Sequence, residues 1–215
     1  CLHSVVNSVQ QPFSGKDIFA VNSEVYNWKE LNEDHGLCAK NDAELFFKLL
    51  EKFSIKIVLQ LVDGDYAGAY VKENKVYLFR DRIGVKPMWY SIENGLAFSS
   101  ERKVLRKLGY ENVFELNPRE MLIYDISSGE ASFAVLGFYE LRKADSDYGL
   151  AKKKLGGCLV NAIAKRIPDV KFGLLFSGAV DSSFIALVLK RLGVDFKCYT
   201  CVVRGFENEA EDLRY

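Results

Sequence analysis

The sequence has no excess charge of either sign: 29 Lys+Arg balance 29 Asp+Glu over 215 residues, a formal net charge of zero. A general attraction to nucleic acid or to an anionic membrane surface is therefore not expected. No apolar run approaches the about 20 residues needed to cross a bilayer, and no basic segment leads into an apolar stretch and a cleavage site. Two histidines and no paired metal-ligand spacing give no reason to expect a structural zinc. The five cysteines, Cys1, Cys38, Cys158, Cys198 and Cys201, are odd in number in a chain that is not small. They read as reduced thiols of a cytoplasmic protein. The lone CxxC, in "FKCYTCVV", reads as a strand whose cysteines serve as small hydrophobes.

What is present is an ordinary globular composition, 49% hydrophobic and 27% charged, long enough for one large domain or two small ones. From Ile18 to about Phe138 most signals are strands. "IFAV" (Ile18 to Val21) is a short apolar strand. "AELFFKLLEKF" (Ala43 to Phe53) has helical spacing, with Asn41 or Asp42 as its N-cap. "YAGAYV", "KVYLFR", "PMWYSI" and "LAFSS" follow closely, separated by turns such as "KEN" and "IENG". "EMLIYDISSGEASF" reads as another hairpin. Several close strands with helices make an α+β layered domain.

After Tyr139 the pattern changes. Asp145 to Ile167 reads as an amphipathic helix capped by Asp145 or Ser146 and followed by Pro168. Strand Phe172 to Phe176, helix Ser182 to Leu192 and strand Phe196 to Val203 then form a βαβ unit, the start of a parallel α/β sheet. The division expected is residues 1–140, a linker at 141–146, and residues 147–215.

The tight turn "FSGAVDSS" lies at the carboxyl edge of that sheet, where α/β folds bind ligands. Ser177, Gly178 and Ala179 leave backbone amides uncovered, the helix start adds unpaired N–H groups and partial positive charge, and Ser182 and Ser183 add hydroxyls. That is a phosphate cradle. Asp181 would repel a phosphate unless a Mg²⁺ lies between them. The other reading of these residues is simple helix capping. The absence of G-K-[ST] excludes a Walker A loop.

The turn resembles the PP-loop, S-G-G-x-D-S-[ST], of ATP pyrophosphatases, with Ala179 where the pattern has its second glycine. The front of the chain resembles class II glutamine amidotransferases of the asparagine synthetase branch. "FAVNSEVYN" is similar to "NGEIYN", "AKNDAELFFKLL" to "TxSDxExLL", and "VYLFRDRIGVKPMWYS" to "LFLARDRxGxKPLYY". "LAFSSERKVL" is similar to "FASExKAL" and "ELNPREMLIYD" to "LPPGxYLxYD". "GFENEAEDLRY" resembles the acidic segment beyond the PP-loop. Taken together these blocks resemble glutamine-hydrolysing asparagine synthetase or a close relative.

That resemblance implies an N-terminal-nucleophile hydrolase domain, an αββα sandwich, followed by the start of a Rossmann-like PP-loop domain. It implies an enzyme, a carbon–nitrogen ligase. Glutamine is hydrolysed to ammonia, aspartate is adenylated, and the products are asparagine, AMP and pyrophosphate. The resemblance names Cys1 as nucleophile, with Asn22 and the Ser23 backbone as oxyanion donors. Glu24 and Asp42 would bind glutamine. Without it, Glu24 reads as a solvated strand-end charge and Asp42 as an N-cap. The PP-loop resemblance gives Leu175, Ser177, Gly178, Ala179, Asp181, Ser182, Ser183 and Val203 as ATP and pyrophosphate contacts, with Mg²⁺ on Asp181. The partners expected are glutamine, aspartate and ATP, with neither nucleic acid nor membrane; a homodimer is compatible with the family.

Departures from the pattern are specific. Glycine is replaced by Ser23 and by Ala179, which is tolerable where φ stays negative. "LHSVVNSVQQPF" follows Cys1 at once, whereas the family places a strand, a helix and an "HRGPD" loop between them. Val5 stands at or near the arginine that would clamp glutamine's carboxylate. The family also continues well past "EDLRY". The expectation is a piece of the family pattern that makes no asparagine alone. A related alternative is an AMP-forming amide or lactam synthetase with an inactive glutaminase domain. Asp81, Gly84, Lys86 and Pro87 are expected to be structural, and Trp89 and Tyr90 to be core aromatics.

Overall fold

The computed structural model describes residues 10–137 and 147–201, which fall in two compact units, Cys1–Leu141 and Arg142–Tyr215. In the first unit the order is β1 (Phe13–Ser14), β2 (Ile18–Val25), α1 (Trp28–His35), α2 (Asp42–Lys52), α3 (Ile55–Leu61), β3 (Gly64–Lys72), β4 (Lys75–Arg80), β5 (Trp89–Ser91), β6 (Ala97–Ser99), α4 (Arg102–Lys107), β7 (Phe114–Glu115), β8 (Glu120–Asp125) and β9 (Ala131–Val135). A six-stranded antiparallel sheet runs β1-β2-β3-β4-β8-β9, and a smaller one runs β6-β5-β7.

Strand alternation gives the large sheet two different faces. Phe19, Val21 and Val25 of β2, Tyr66 and Tyr70 of β3, and Phe79 of β4 pack with α2 in one core. Helix α2 contributes Leu45, Phe46, Leu49 and Leu50, each no more than 1% exposed. Rings dominate this core: Phe19 stacks on Phe47 and Phe79, and Phe46 meets Tyr66 edge to face. Ala67 and Ala69 of β3, Leu78 of β4 and Leu122 of β8 face the other way and pack with Met88, Tyr90 and Leu116 around the small sheet. Leu105 of α4, 1% exposed, closes its outer side. The result is helix, sheet, sheet, helix.

Local chemistry sets the joints. Asn41 caps α2, accepting from the Glu44 N–H at 2.9 Å, so the cap is Asn41 and not Asp42. Gly36 ends α1 at φ +59, and its N–H reaches the Asn32 and Glu33 carbonyls. The "DRIGVKP" turn is tied down by the buried side chains of Asp81 and the preceding Arg80. The Asp81 carboxylate, 2% exposed, accepts from the N–H groups of Tyr66, Val85 and Lys86. The Arg80 guanidinium donates to the Lys86, Leu116 and Gly84 carbonyls, with Gly84 at φ +72. Tyr90 is core, 9% exposed, whereas Trp89 is half-buried under the Arg102 guanidinium.

The second unit comprises α5 (Tyr148–Ala164), β10 (Gly173–Leu175), α6 (Val180–Arg191) and β11 (Lys197–Tyr199), with β10 and β11 parallel. Helix α5 is shorter than its sequence pattern and is capped by Asp147, whose carboxylate accepts from the Gly149 N–H; Asp145 and Ser146 lie outside the described residues. Cys198 and Cys201 are both exposed, which corrects the expectation that they pack as small hydrophobes: β11 is three residues long and lies at the surface of this unit. Among the described residues no helix is long and apolar enough to cross a membrane.

Candidate active site

The site is built on the C-terminal half of β2. Asn22 pairs with Ala67 and Glu24 with Asp65 across β2 and β3. All four side chains therefore lie on the face toward the small sheet. There Asn22 lines a cavity of about 500 Å³ with Gln11, Ala67, Ala69, Met88 and Phe98. Among the described residues the Asn22 amide makes no hydrogen bond, so both of its N–H donors remain available in that cavity.

The outer edge of β2 is closed by side chains. Strand β1 pairs only at Ile18 and Phe19. At Val21 the Gln11 side-chain amide takes over, donating to the carbonyl at 3.0 Å and accepting from the N–H at 2.8 Å. At Val25 the N–H donates to the Asp42 carboxylate at 3.2 Å. In an extended strand alternate residues point their backbone groups to the same edge. The Ser23 N–H and C=O accordingly face outward between the Gln11 amide and the Asp42 carboxylate. An outward N–H beside an uncommitted Asn amide is a pair of donors suited to a developing oxyanion.

Three carboxylates gather beyond them. Asp42 accepts from the Ser23 hydroxyl at 2.9 Å as well as from the Val25 amide. Asp65 accepts from the Tyr26 hydroxyl at 2.6 Å. The Glu24 carboxyl is held above its ordinary range, first by desolvation and then by the Asp42 charge; Lys86 opposes this and Asp65 adds to it. Such a cluster suits a cationic group of a ligand.

In the second unit Gly178 has φ +80 and begins the turn. Ala179 is the N-cap of α6 at φ −70 and offers no side-chain cap. Its Cβ is thus accommodated, and the first-turn N–H groups are not capped by a side chain. This weighs against the reading of Asp181 and the serines as caps. The hydroxyls turn into the loop: Ser182 donates to the Ala179 carbonyl and Ser183 to that of Gly178, with Ser177 and Ser182 in mutual contact at 3.2 Å. Leu175 ends β10, 79% exposed. Cys1 and Val203 lie outside the described residues.

Residues 3–107 match the family model described as a glutamine amidotransferase domain. Over that stretch the chain is similar to glutamine amidotransferase domains. A Methanocaldococcus jannaschii protein named as a glutamine-hydrolysing asparagine synthetase is 36% identical across 95% of this chain and 41% of its own length. Glutamine-hydrolysing asparagine synthetase of Mus musculus is 30% identical over 80% of the chain and 36% of its own length. The chain thus spans about two fifths of the length of the relatives it matches. The solved glutamine phosphoribosylpyrophosphate amidotransferase of B. subtilis superposes with a TM-score of 0.53 at 18% identity, over 87% of this chain and 48% of that one. The fold of the first unit is the N-terminal-nucleophile hydrolase sandwich expected from the sequence.

Within the amidotransferase frame, the structure brings Asn22, Ser23, Glu24 and Asp42 to one strand end. Ser23 lies in regular strand, and the left-handed residues among those described are elsewhere, so the serine needs no glycine conformation. Three contributors escaped the sequence reading. Gln11 completes the β2 edge, Asp65 faces Glu24, and Lys86, expected only to buttress the turn, also acts electrostatically on Glu24. The alternation of "GDYAGAY", with Asp65 two residues before Ala67, is the signal that could have placed Asp65 on the cavity face.

Proposed function

We propose that this chain carries the glutaminase domain and the beginning of the ATP-dependent domain of a glutamine-dependent asparagine synthetase. The observation that carries the reading is the convergence at the end of β2: a free Asn22 amide, an outward Ser23 N–H and the Glu24–Asp42 carboxylates. Glutamine's α-ammonium lies against Glu24 and Asp42, with its side-chain amide near Asn22 and Ser23. A cysteine thiolate, with Cys1 as the candidate, adds to the amide carbon; the carbonyl oxygen becomes an oxyanion that accepts from Asn22 and the Ser23 N–H. Collapse breaks the C–N bond as the nitrogen takes up the proton that the thiol gave up, releasing ammonia and leaving a thioester. Water then cleaves the thioester to glutamate and free thiol.

The turn at residues 177–183 is proposed to hold the polyphosphate of ATP. The Ala179 N–H donates to the Ser177 hydroxyl at 3.4 Å, and a phosphate oxygen would compete for that N–H and, against the loop carbonyls, for the Ser182 and Ser183 hydroxyls. A Mg²⁺ on Asp181 would supply charge neutralisation between carboxylate and phosphate. The acceptor is proposed to be aspartate, whose adenylated β-carboxylate is captured by ammonia to give asparagine and AMP. Relatives named as glutamine-hydrolysing along almost the whole chain give the alternative of an inactive glutaminase no support.

The test is ammonia release from L-glutamine. Turnover that disappears in Cys1→Ser supports the reading; turnover that survives in Cys1→Ser assigns the nucleophile elsewhere. No turnover by the unsubstituted protein would overturn the glutaminase assignment. For the second unit, ATP–pyrophosphate exchange that needs aspartate and is lost in Asp181→Asn supports the synthetase half, and exchange indifferent to aspartate contradicts it.

A further inference from the structure

Asp42 is the first residue of α2, a position where a carboxylate ordinarily caps the helix or drifts in solvent. Neither applies here. The cap is supplied by Asn41, and two hydrogen bonds to Asp42 converge on one atom: Oδ2 accepts from the Ser23 hydroxyl at 2.9 Å and from the Val25 N–H at 3.2 Å. A carboxylate held by two donors on one oxygen cannot swing, and its other oxygen keeps its lone pairs for a cation. The Val25 N–H is common to any residue in that strand, but the hydroxyl comes from Ser23, where the amidotransferase pattern has glycine and so no side-chain donor.

We propose that the Ser23 hydroxyl is a positioning group for recognition of the substrate's α-ammonium: it fixes the Asp42 carboxylate beside Glu24 so that the two acids receive the cation together. The proposal rests on the glutamine reading above and adds a residue-level determinant to it. Ser23 plays two separable parts, because its backbone N–H survives any side-chain change while the clasp on Asp42 does not. Alanine leaves the strand and the N–H in place and leaves Asp42 held by the Val25 N–H alone. Threonine restores a hydroxyl on a side chain that suits a strand.

The experiment measures glutamine hydrolysis by the protein, with glutaramic acid, which is glutamine without its α-amine, as second substrate. In Ser23→Ala the preference for glutamine over glutaramic acid, as a ratio of kcat/KM, is expected to fall roughly three- to tenfold, the worth of one ordinary hydrogen bond, because the Val25 N–H still holds the carboxylate. The loss resides in the KM for glutamine, and Ser23→Thr recovers most of it. An unchanged ratio in Ser23→Ala overturns the proposal, as does an equal loss for both substrates, which is what a merely structural role would give. If the unsubstituted protein shows no preference for glutamine over glutaramic acid, the ammonium assignment of Glu24 and Asp42 falls, and this inference with it. If it hydrolyses neither, the glutaminase reading fails first.

Discussion

Replacing Arg80 with methionine should undo the turn that carries Lys86 toward the site. Arg80 is 4% exposed, and its guanidinium donates to three backbone carbonyls at 2.6 to 2.8 Å, those of Lys86, Leu116 and Gly84. Methionine keeps most of the apolar stem but leaves three acceptors without their donor. At about 1–3 kcal/mol for each unsatisfied buried group, partly offset by water reaching the turn, the loss should be about 3–5 kcal/mol. The ion pair to Glu115 at 2.9 Å adds little, because Glu115 is half exposed; Glu115→Gln should cost less than about 1 kcal/mol. Both tryptophans of the sequence, Trp28 and Trp89, lie in the first unit, so fluorescence-monitored urea unfolding reports on that unit alone. For a unit of this size the thermal midpoint should fall by roughly 10–15 °C. A loss below about 1 kcal/mol, or a Glu115→Gln variant as unstable as Arg80→Met, would refute the carbonyl accounting.

Gly68→Ala should destabilise the first unit by about 1–3 kcal/mol in the same assay, because a Cβ there would lie 2.9 Å from the Phe79 ring and 3.3 Å from that of Phe19, both fully buried in the aromatic core. A neutral Gly68→Ala would mean that the ring stack is looser than it looks. Glu24 should set an acid limb in glutamine binding. An ammonium is held by the ionised carboxylate, so KM should rise as pH falls through its elevated pKa. Removing a neighbouring negative charge makes ionisation easier, so Asp65→Asn should move that limb to lower pH. Lys86→Met should move it to higher pH, and shifts in the reverse directions in a KM–pH profile would contradict the electrostatic assignment.

Much of the fold could be read from periodicity, and where it could not the reasons are local. Helix α2 shows its apolar stripe over three turns, and the strands from Gly64 to Asp125 alternate between two cores. Helix α1 was not visible because "WKELNEDH" buries only Leu31, and α3 because "IKIVLQL" is apolar without a period long enough to separate helix from strand. Strand β2 runs four residues past the apolar "IFAV": its polar half, "NSEV", is held by cross-strand pairing with β3 and by the Gln11 and Asp42 side chains on its edge. That polar half carries the candidate site. Asn22, Ser23, Glu24 and Asp42 were nameable from motif resemblance, but the clasp between Ser23 and Asp42 joins residues 19 positions apart, and no local pattern encodes it. In the second unit the turn between β10 and α6 falls where the sequence places it, while the helix begins two residues early, at Val180, since Ala179 rather than a polar residue takes the cap position.

The most direct test of the oxyanion assignment is the rate of ammonia release from L-glutamine in the protein and in Asn22→Ala. The Asn22 amide faces the cavity uncommitted, and loss of one such donor should lower kcat about 10²- to 10³-fold with a small change in KM. A kcat within threefold of the unsubstituted protein, or a loss confined to KM, would contradict the placement of the reacting carbonyl at the end of β2.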